Sequence, residues 1–411
     1  MKKNYFIVIY ILIIWFVISF VTNIFGPILP AIIKDYSLSL ALASFLPFSF
    51  FLAYGVMSIP AGVMIEKLGG KTSMLIAFSA CFAGVFVFAL FPVYYVAIAS
   101  LFVVGLGMAM LQVIINPLMR TAGGEENFAF YSVLGQLVFG GASFVSPLVY
   151  IYLTSHLKSP GENFFINQLK ILTPENLPWS SMYWVFSALF LVVIAVLAMI
   201  KIPALDLKED EKVGAIATHA WLLKKKHVVL FALGIVAYVG TEQGLANWMS
   251  KFLNIYHQVD PETLGARTVS WFWGAMTIGC LTGLLLLKLI DSKKVLRIFT
   301  LLAMLTLLFA LIGSKQIAVI AFPLTGFFIS VMFSIIFSLA LNSEESHHGT
   351  FSGILCTGIF GGALASLVIG WFGDMFGLRA AMFFLFITLS YILSISFWAK
   401  PLINNKTIYK S

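Results

Sequence analysis

The residue that stands out for its chemistry is Glu242, a carboxylate in the middle of an apolar run from 228 to 256. On a helix that rises ~1.5 Å per residue, Glu242 lies near the centre of a ~30 Å hydrocarbon layer. Glu242, Gln243, Ala246 and Asn247 occupy one arc of that helix. An ionised carboxylate facing lipid at this depth costs several kcal/mol, so we expect the arc to face a protein interior or a watery cavity. Such a position is typical of a transport site.

The composition indicates that the whole chain is a membrane protein. Of its 411 residues, 61% are hydrophobic and only 10% are charged, whereas a soluble domain carries about 25% charged residues. The three cysteines lie in apolar runs and no histidine pairs with a ligand at metal-site spacing. We therefore expect no disulfide framework, no metal site and no cofactor. The net charge of +8 fits cytoplasmic loop lysines better than binding to nucleic acid.

Apolar segments of spanning length recur twelve times, and each must be helical because lipid offers no hydrogen bonds. The predicted spans, numbered 1 to 12 in chain order, are 5–33, 41–65, 73–92, 94–119, 127–154, 181–200, 228–256, 266–288, 295–313, 317–341, 349–373 and 379–399. The first is too long for the apolar part of a signal peptide and is expected to be retained. With the N-terminus inside, lysine and arginine number 18 inside against 7 outside. The pattern predicts an all-α polytopic membrane protein, N-in/C-in.

The longest cytoplasmic link divides the spans six plus six. We predict one six-helix bundle at 1–200, a cytoplasmic linker at 201–227 and a second bundle at 228–411. A weak internal repeat supports this division, since the segment beginning at Gly62 is similar to the segment beginning at Gly283. The same offset brings Asn23 of span 1 beside the polar arc of span 7. Matching polar positions in two repeats are expected around a site at the membrane midplane.

Twelve spans in two repeats, with a loop of the form G-x-x-x-[DE]-[RK]-x-G-x-[RK] after span 2, resemble the major facilitator superfamily. The residues that carry the loop motif here are Gly62, Glu66, Lys67, Gly69 and Lys71, with a glycine where a basic residue is common at position 70. The resemblance implies a 6+6 pseudo-symmetric fold in which this loop acts as a conformational latch on the cytoplasmic side. A plain loop that obeys the positive-inside bias is the alternative.

Further motifs resemble one branch of that family, the sugar symporters typified by L-fucose permease and the glucose/galactose transporters. They lie at 105–117 in span 4, 238–248 in span 7, 270–279 in span 8, 333–341 in span 10 and 361–370 in span 11. The likeness covers nearly the whole chain. It implies a monomeric monosaccharide carrier in the bacterial inner membrane that works by alternating access between its two halves.

A sugar offers hydroxyls and two apolar ring faces, so its site needs uncharged hydrogen-bonding groups and aromatic plates. We expect these from polar and aromatic residues of spans 4, 5, 7 and 8, namely Gln112, Asn116, Gln136, Gln243, Asn247, Trp248, Trp271 and Trp273. Each has another interpretation. An Asn or Gln within a span also links helices to one another, and tryptophans also form belts at the membrane surface.

The residue expected to couple transport to a cation follows from a difference between this sequence and the family pattern. Two positions that are acidic in the fucose-permease type are Asn23 and Gln112 here, and neither can titrate. Coupling therefore falls to Glu242, which either carries a proton or joins Thr241, Gln243 and Asn23 in an oxygen cage for Na⁺. We predict a secondary active transporter that couples monosaccharide symport to Na⁺ or H⁺, with the sugar and the lipid bilayer as its partners.

Two other classes of function remain open. A proton-coupled exporter of cationic or amphiphilic drugs would use Glu242 and the 40 phenylalanines. A polytopic membrane enzyme would need carboxylate pairs or metal ligands near a membrane face. The adjacent acids Glu125-Glu126 and Glu344-Glu345 lack His or Asp partners at a usable spacing, so enzyme activity is not expected.

Overall fold

The computed structural model describes residues 5–124, 128–158, 163–202, 216–344 and 347–402, and within them twelve helices are long and apolar enough to cross a membrane. In chain order they are Tyr5–Asp35, Leu40–Leu68, Gly70–Leu90, Tyr94–Gly123, Val133–Leu157, Pro178–Met199, Lys226–His257, Pro261–Leu289, Ser292–Ile312, Lys315–Leu341, Thr350–Phe376 and Leu378–Trp398. They confirm the predicted spans in number and order, so the numbering 1 to 12 is kept. The orientation in the membrane stays a prediction, and the two ends of the bundle are named here as the predicted external and cytoplasmic ends.

Two short helices lie outside the spans. A loop helix, Phe164–Leu172, follows span 5 and is capped by the side chain of Asn163, which accepts a hydrogen bond from the Ile166 amide at 2.9 Å. A linker helix, Ile216–Leu223, precedes span 7. Neither is long enough to give a clear periodic pattern in the sequence. The predicted linker 201–227 is described only in part, so its boundaries stay a prediction.

The same four helix pairs recur in the two sets of six. Spans 1 and 5, 2 and 4, 3 and 4, and 3 and 6 pack together in the first set. In the second set, spans 7 and 11, 8 and 10, 9 and 10, and 9 and 12 do the same. Adding six to each number in the first set gives the second, so the two halves are structural repeats. We call spans 1–6 the N-half and spans 7–12 the C-half.

A lysine closes each half in the same way. The ammonium of Lys71, at the start of span 3, donates to the carbonyls of Ala198 and Ile200 at the end of span 6, at 3.0 and 2.7 Å. Lys293, at the start of span 9, donates to the carbonyl of Ala399 at the end of span 12, at 2.8 Å. The last carbonyls of a helix lack intrahelical partners, and a cation there is favourable. These bonds therefore fasten the third helix of each half to the sixth.

Among the described residues, four helix pairs make the main contacts between the halves, namely span 1 with 7, span 1 with 8, span 2 with 11, and span 5 with 8. At two of these contacts the helices lie so close together that only glycine fits between them. A Cβ on Gly26 would lie 2.0 Å from the carbonyl oxygen of Ala246, and one on Gly370 would lie 2.6 Å from that of Leu40. Because the obstacle is backbone in both cases, a larger residue requires the helices to separate.

Polar contacts hold the two halves together at the predicted external end. The Asp374 carboxylate on span 11 accepts from the amides of Leu40 and Ala41, at 2.8 and 2.9 Å, and so caps the start of span 2. Lys158 after span 5 forms an ion pair with Glu262 at the start of span 8. All hydrogen bonds between described residues of opposite halves lie nearer this end. The molecule is thus closed at the predicted external end.

The linker helix is fastened to the C-half. Glu344, after span 10, accepts hydrogen bonds from Lys225 and, at 2.9 Å, from a ring nitrogen of His227. The Lys225 ammonium also lies 3.8 Å from the ring centre of Trp221, whose ring contacts His347. Burial raises the pKa of Glu344, but its bonds to Lys225 and His227 outweigh burial and hold the pKa below the ordinary 4.5. This cluster positions the entry into span 7.

We expect Gly26→Ala to open the predicted external end, because its Cβ overlaps the Ala246 carbonyl. Overpacking costs about 1–3 kcal/mol, which shifts a two-state population roughly 5- to 150-fold. Double electron–electron resonance between spin labels at Lys34 and Gln258 should show a longer distance. The control is Gly141→Ala, whose Cβ meets nothing within 4 Å. An unchanged distance in Gly26→Ala contradicts closure by this contact.

We also expect acid to release the linker helix. Because the folded pKa of Glu344 is lowered from 4.5, the tether is complete above that pH and is lost as the pH falls below it. A spin label at the exposed Ala220 should gain mobility only below about pH 4.5. In the Glu344→Gln variant the label should already be mobile at pH 7 and respond little to acid. The same mobility in both proteins at pH 7 would show that Glu344 does not hold this helix.

Candidate functional site

Glu242 is held by donors from its own helix. One carboxylate oxygen accepts from the hydroxyl of Tyr238 at 2.8 Å, and the other accepts from the side-chain amide of Gln243 at 3.3 Å. The side chain is partly accessible, although its neighbours on span 7 are buried. No basic group pairs with it in the described part of the chain. An unneutralised carboxylate at this depth needs a proton or a cation to offset its charge.

Three helices meet just above Glu242, towards the predicted external end. Gly26 of span 1 lies against the backbone of Ala246 on span 7, and its Cβ position is 3.5 Å from a methyl group of Val269 on span 8. We call this contact the outer plug. It belongs to both halves, since span 1 lies in the N-half and spans 7 and 8 lie in the C-half.

One helical turn below the outer plug, each of the three helices carries a polar side chain. Asn23 precedes Gly26 by three residues, Glu242 precedes Ala246 by four, and Trp273 follows Val269 by four on the antiparallel span 8. Residues three or four apart lie about one helical turn apart, so each of these residues lies about one turn from the plug along its own helix. We call Asn23, Glu242 and Trp273 the layer beneath the outer plug. This layer lies where the two halves meet.

Several buried polar atoms near this layer have no hydrogen-bond partner among the described residues. They are Oδ1 of Asn23, Nε1 of Trp273 and, one turn along span 7, Nδ2 of Asn247. Buried polar groups are nearly always satisfied, and an unsatisfied one costs about 1–3 kcal/mol. One acceptor and two donors left open in this way can be satisfied by a polar ligand.

Asn23 is oriented by the N-half. Its Nδ2 donates to the hydroxyls of Ser143 on span 5 and Ser19 on span 1, at 2.8 and 3.3 Å. Span 1 is interrupted here, with one helix ending at Thr22 and the next beginning at Phe25. The amide is therefore committed to span 5 through its nitrogen, while its oxygen remains open.

The structure does not bring Thr241 into the predicted oxygen cage. Its hydroxyl donates to the carbonyl of Ala237 and lies 2.7 Å from the hydroxyl of Thr388 on span 12. Trp248 lies seven residues along the same helix face and is fully buried, with Nε1 unpartnered among the described residues. Successive residues on a helix are rotated by about 100°. The side chain of Thr241 therefore points away from that of Glu242 and into the C-half.

The two tryptophans of span 8 lie in different surroundings. Trp273 is buried, whereas Trp271 is 41% exposed. Two residues along a helix correspond to a rotation of about 200°, so the two rings point to opposite sides. Only Trp273 shares the face that carries Val269, and Trp271 falls outside the layer beneath the outer plug.

The remaining predicted sugar contacts lie nearer the predicted cytoplasmic end. Gln136 is exposed, one turn below Gly140, whose Cβ position lies 1.9 Å from the hydroxyl of Thr277 on span 8. Gln136 therefore lies about one turn below a close contact between spans 5 and 8. Gln112 of span 4 is partly accessible and makes no hydrogen bond to a described residue. Asn116 lies in the span 4 helix, but its side chain is outside the described residues.

The predicted latch residues surround the turn between spans 2 and 3. Gly62 is buried in span 2, Glu66 and Lys67 are exposed in its last turn, and Gly69 has φ +78°. Lys71 bonds to the carbonyls at the end of span 6, so its contacts stay within the N-half. A role of this loop in conformational change stays a prediction.

Tyr238 belongs to the site although its side chain is not among the predicted contacts. Its hydroxyl binds Glu242, and its ring packs on Phe333 of span 10 at 5.7 Å between ring centres. The i, i+4 spacing of tyrosine and glutamate was the available signal. Tyr238 therefore connects the carboxylate to span 10.

The comparisons with known proteins agree with this architecture. The model of the Major Facilitator Superfamily matches residues 11–359. The chain is 29% identical to a "Glucose/galactose transporter" of Brucella abortus biovar 1 (strain 9-941), over 95% of this chain and 93% of the relative. It is 24% identical to the "L-fucose-proton symporter" of Escherichia coli (strain K12), over 89% of this chain and 86% of the relative.

A solved structure gives the same result for the fold. The crystal structure of the E. coli fucose:proton symporter, FucP, superposes with a TM-score of 0.68 at 20% identity, and covers 96% of this chain and 98% of that chain. The relatives are named as transporters rather than enzymes, and the twelve apolar helices fit a multi-pass protein of the bacterial inner membrane. Together the fold and the match over most of its length show that this chain belongs to the Major Facilitator Superfamily.

Proposed function

We propose that this protein is a cation-coupled symporter of a monosaccharide, a hexose or deoxyhexose, with the proton as the favoured coupling ion. The observation that carries the proposal is Glu242, a partly accessible carboxylate without a basic partner in the described part of the chain, directly beneath the outer plug. The named substrates of the relatives, glucose/galactose and L-fucose, support a sugar as the cargo.

The surroundings of Glu242 favour a proton over Na⁺. Sodium prefers several oxygen ligands, but the hydroxyl of Thr241, one of the predicted ligands, is bonded within the C-half instead. Tyr238 and Gln243 meet the carboxylate as donors. A carboxylate that has lost one predicted oxygen neighbour, and that has no basic partner among the described residues, is better suited to a proton than to Na⁺. The name of the fucose relative, a proton symporter, points the same way.

The sugar is proposed to bind in the layer beneath the outer plug. Its hydroxyls can satisfy the open oxygen of Asn23 and the open Nε1 of Trp273, while the indole ring covers an apolar sugar face. Neutralisation of Glu242 and sugar binding then both act at the seam between the halves. Alternating access follows if they favour separation at the outer plug and closure at the opposite end.

We expect Glu242→Gln to abolish uphill sugar accumulation while keeping sugar exchange. The amide keeps the shape of the side chain but cannot bind or release a proton. In proteoliposomes, accumulation driven by a pH gradient should fall to background, and counterflow of labelled hexose should remain. Glu175→Gln, on an exposed loop acid, is the control and should leave both rates unchanged.

The same assay separates the alternatives. Accumulation driven by a Na⁺ gradient alone would show that Na⁺, and not the proton, is the coupling ion. Intact proton-driven accumulation in Glu242→Gln would remove Glu242 from coupling. If none of several hexoses is taken up, a sugar is not the substrate, and the result favours a cationic-drug exporter.

We expect Trp273→Phe to weaken sugar binding and Trp271→Phe to have no effect. The change removes one N–H donor and keeps an aromatic plate, so the KM should rise roughly 2- to 12-fold, the value of one neutral hydrogen bond of about 0.5–1.5 kcal/mol. The maximal rate should change little. Initial-rate kinetics of both variants, with their thermal unfolding compared, test this. An equal effect of the two variants would contradict the placement of the sugar against Trp273.

A further inference from the structure

An apolar groove lies between the halves on the predicted cytoplasmic side, apart from the layer beneath the outer plug. One wall is a stripe of span 7 at i, i+3, i+4 and i+7, formed by Val229, Ala232, Leu233 and Val236. The other residues that line the groove are Gly55, Leu223, Thr357, Gly358 and Phe360. Its volume is about 340 Å³, within the range of roughly 300–1,000 Å³ for ligand pockets.

The groove is open rather than filled by described residues. Leu223, Val229 and Leu233 are 50%, 37% and 46% exposed. Val236, the deepest of the stripe, lies ten residues beyond Lys226, which is ~15 Å along a helix. This depth equals one leaflet, half of a ~30 Å hydrocarbon core. The length suits a single acyl chain.

The mouth of the groove is basic. Leu223 and Val229 both line the groove, and the segment between them carries Lys224, Lys225 and Lys226. Lys225 is committed to Glu344, but Lys224 and Lys226 are exposed and make no ion pair with a described residue. Lys226 also opens the helix of span 7, where the free amides of the first turn add positive potential.

We propose that this groove binds one anionic phospholipid, with an acyl chain along span 7 and the phosphate headgroup at Lys224 and Lys226. The charge at the mouth and the one-leaflet depth together match a molecule that has both an anionic head and a long apolar chain. Because Gly55 belongs to the N-half and the other lining residues to the C-half or the linker, the lipid contacts both halves. The site is separate from the sugar site and does not depend on the proposed function.

The headgroup is tested by native mass spectrometry of the full-length protein titrated with phosphatidylglycerol or phosphatidylcholine. We expect phosphatidylglycerol to bind about tenfold tighter or better, and Lys224→Gln/Lys226→Gln to weaken it roughly 10- to 30-fold, at about fivefold per lysine. The matched control is Lys201→Gln/Lys288→Gln, which removes the same charge from exposed lysines on the same predicted face. Equal affinity for both lipids, or equal losses in the two double variants, overturns the proposal.

Binding of the acyl chain is tested by filling the groove with a larger side chain. Leu233→Trp should displace phosphatidylglycerol, and Leu191→Trp, a similarly exposed position on span 6, should not. If both variants keep the lipid, the charged mouth binds headgroups without the groove and the proposal fails. A fatty acid that lacks a phosphate and binds as tightly as phosphatidylglycerol, insensitive to Lys224 and Lys226, also contradicts it. Thermal unfolding of each variant excludes loss of fold as the cause.

Discussion

The arrangement depends on one unneutralised carboxylate at the middle of a membrane helix. A charge in hydrocarbon is costly, and no basic residue of the described chain offsets that of Glu242. The side chain must therefore lie where water or an ion can reach it, which in a helix bundle means the junction between two sets of helices. The close approach of Gly26 to span 7 closes that junction on one side of Glu242. Tyr238 and Gln243 fix the carboxylate without neutralising it.

The two halves are built as rigid units, and the contacts between them are few. Within each half, the same four helix pairs recur and a lysine fastens the third helix to the sixth. Between the halves, hydrogen bonds of the described residues lie towards the predicted external end. Internal rigidity confines any large rearrangement to the contacts between the halves. A site on a seam is consequently the place where a bound ligand can change the balance between arrangements.

The linker helix lies beside the groove along span 7. Glu344 holds Lys225 and His227 at the start of span 7, and Lys225 in turn lies over the ring of Trp221 on the linker helix. The connection that joins the halves along the chain thus ends at the basic segment Lys224–Lys226, beside the start of span 7. The charge of this segment and the position of span 7 are therefore linked by proximity.

The sequence alone determined the twelve spans and the isolation of Glu242, because spanning length, lipid insolubility of backbone groups and the cost of a buried charge act locally along the chain. It also brought Asn23 and Trp273 into consideration. It did not determine which polar side chains meet. The spans are apolar around most of their circumference, so periodicity does not mark the face that packs on a given neighbour. Only tertiary packing turned Thr241 towards Thr388, buried Trp273 while leaving Trp271 exposed, and set the ring of Tyr238 on Phe333 of span 10. Helical phase relative to a particular partner helix decided these orientations, and that phase is a property of the assembled bundle.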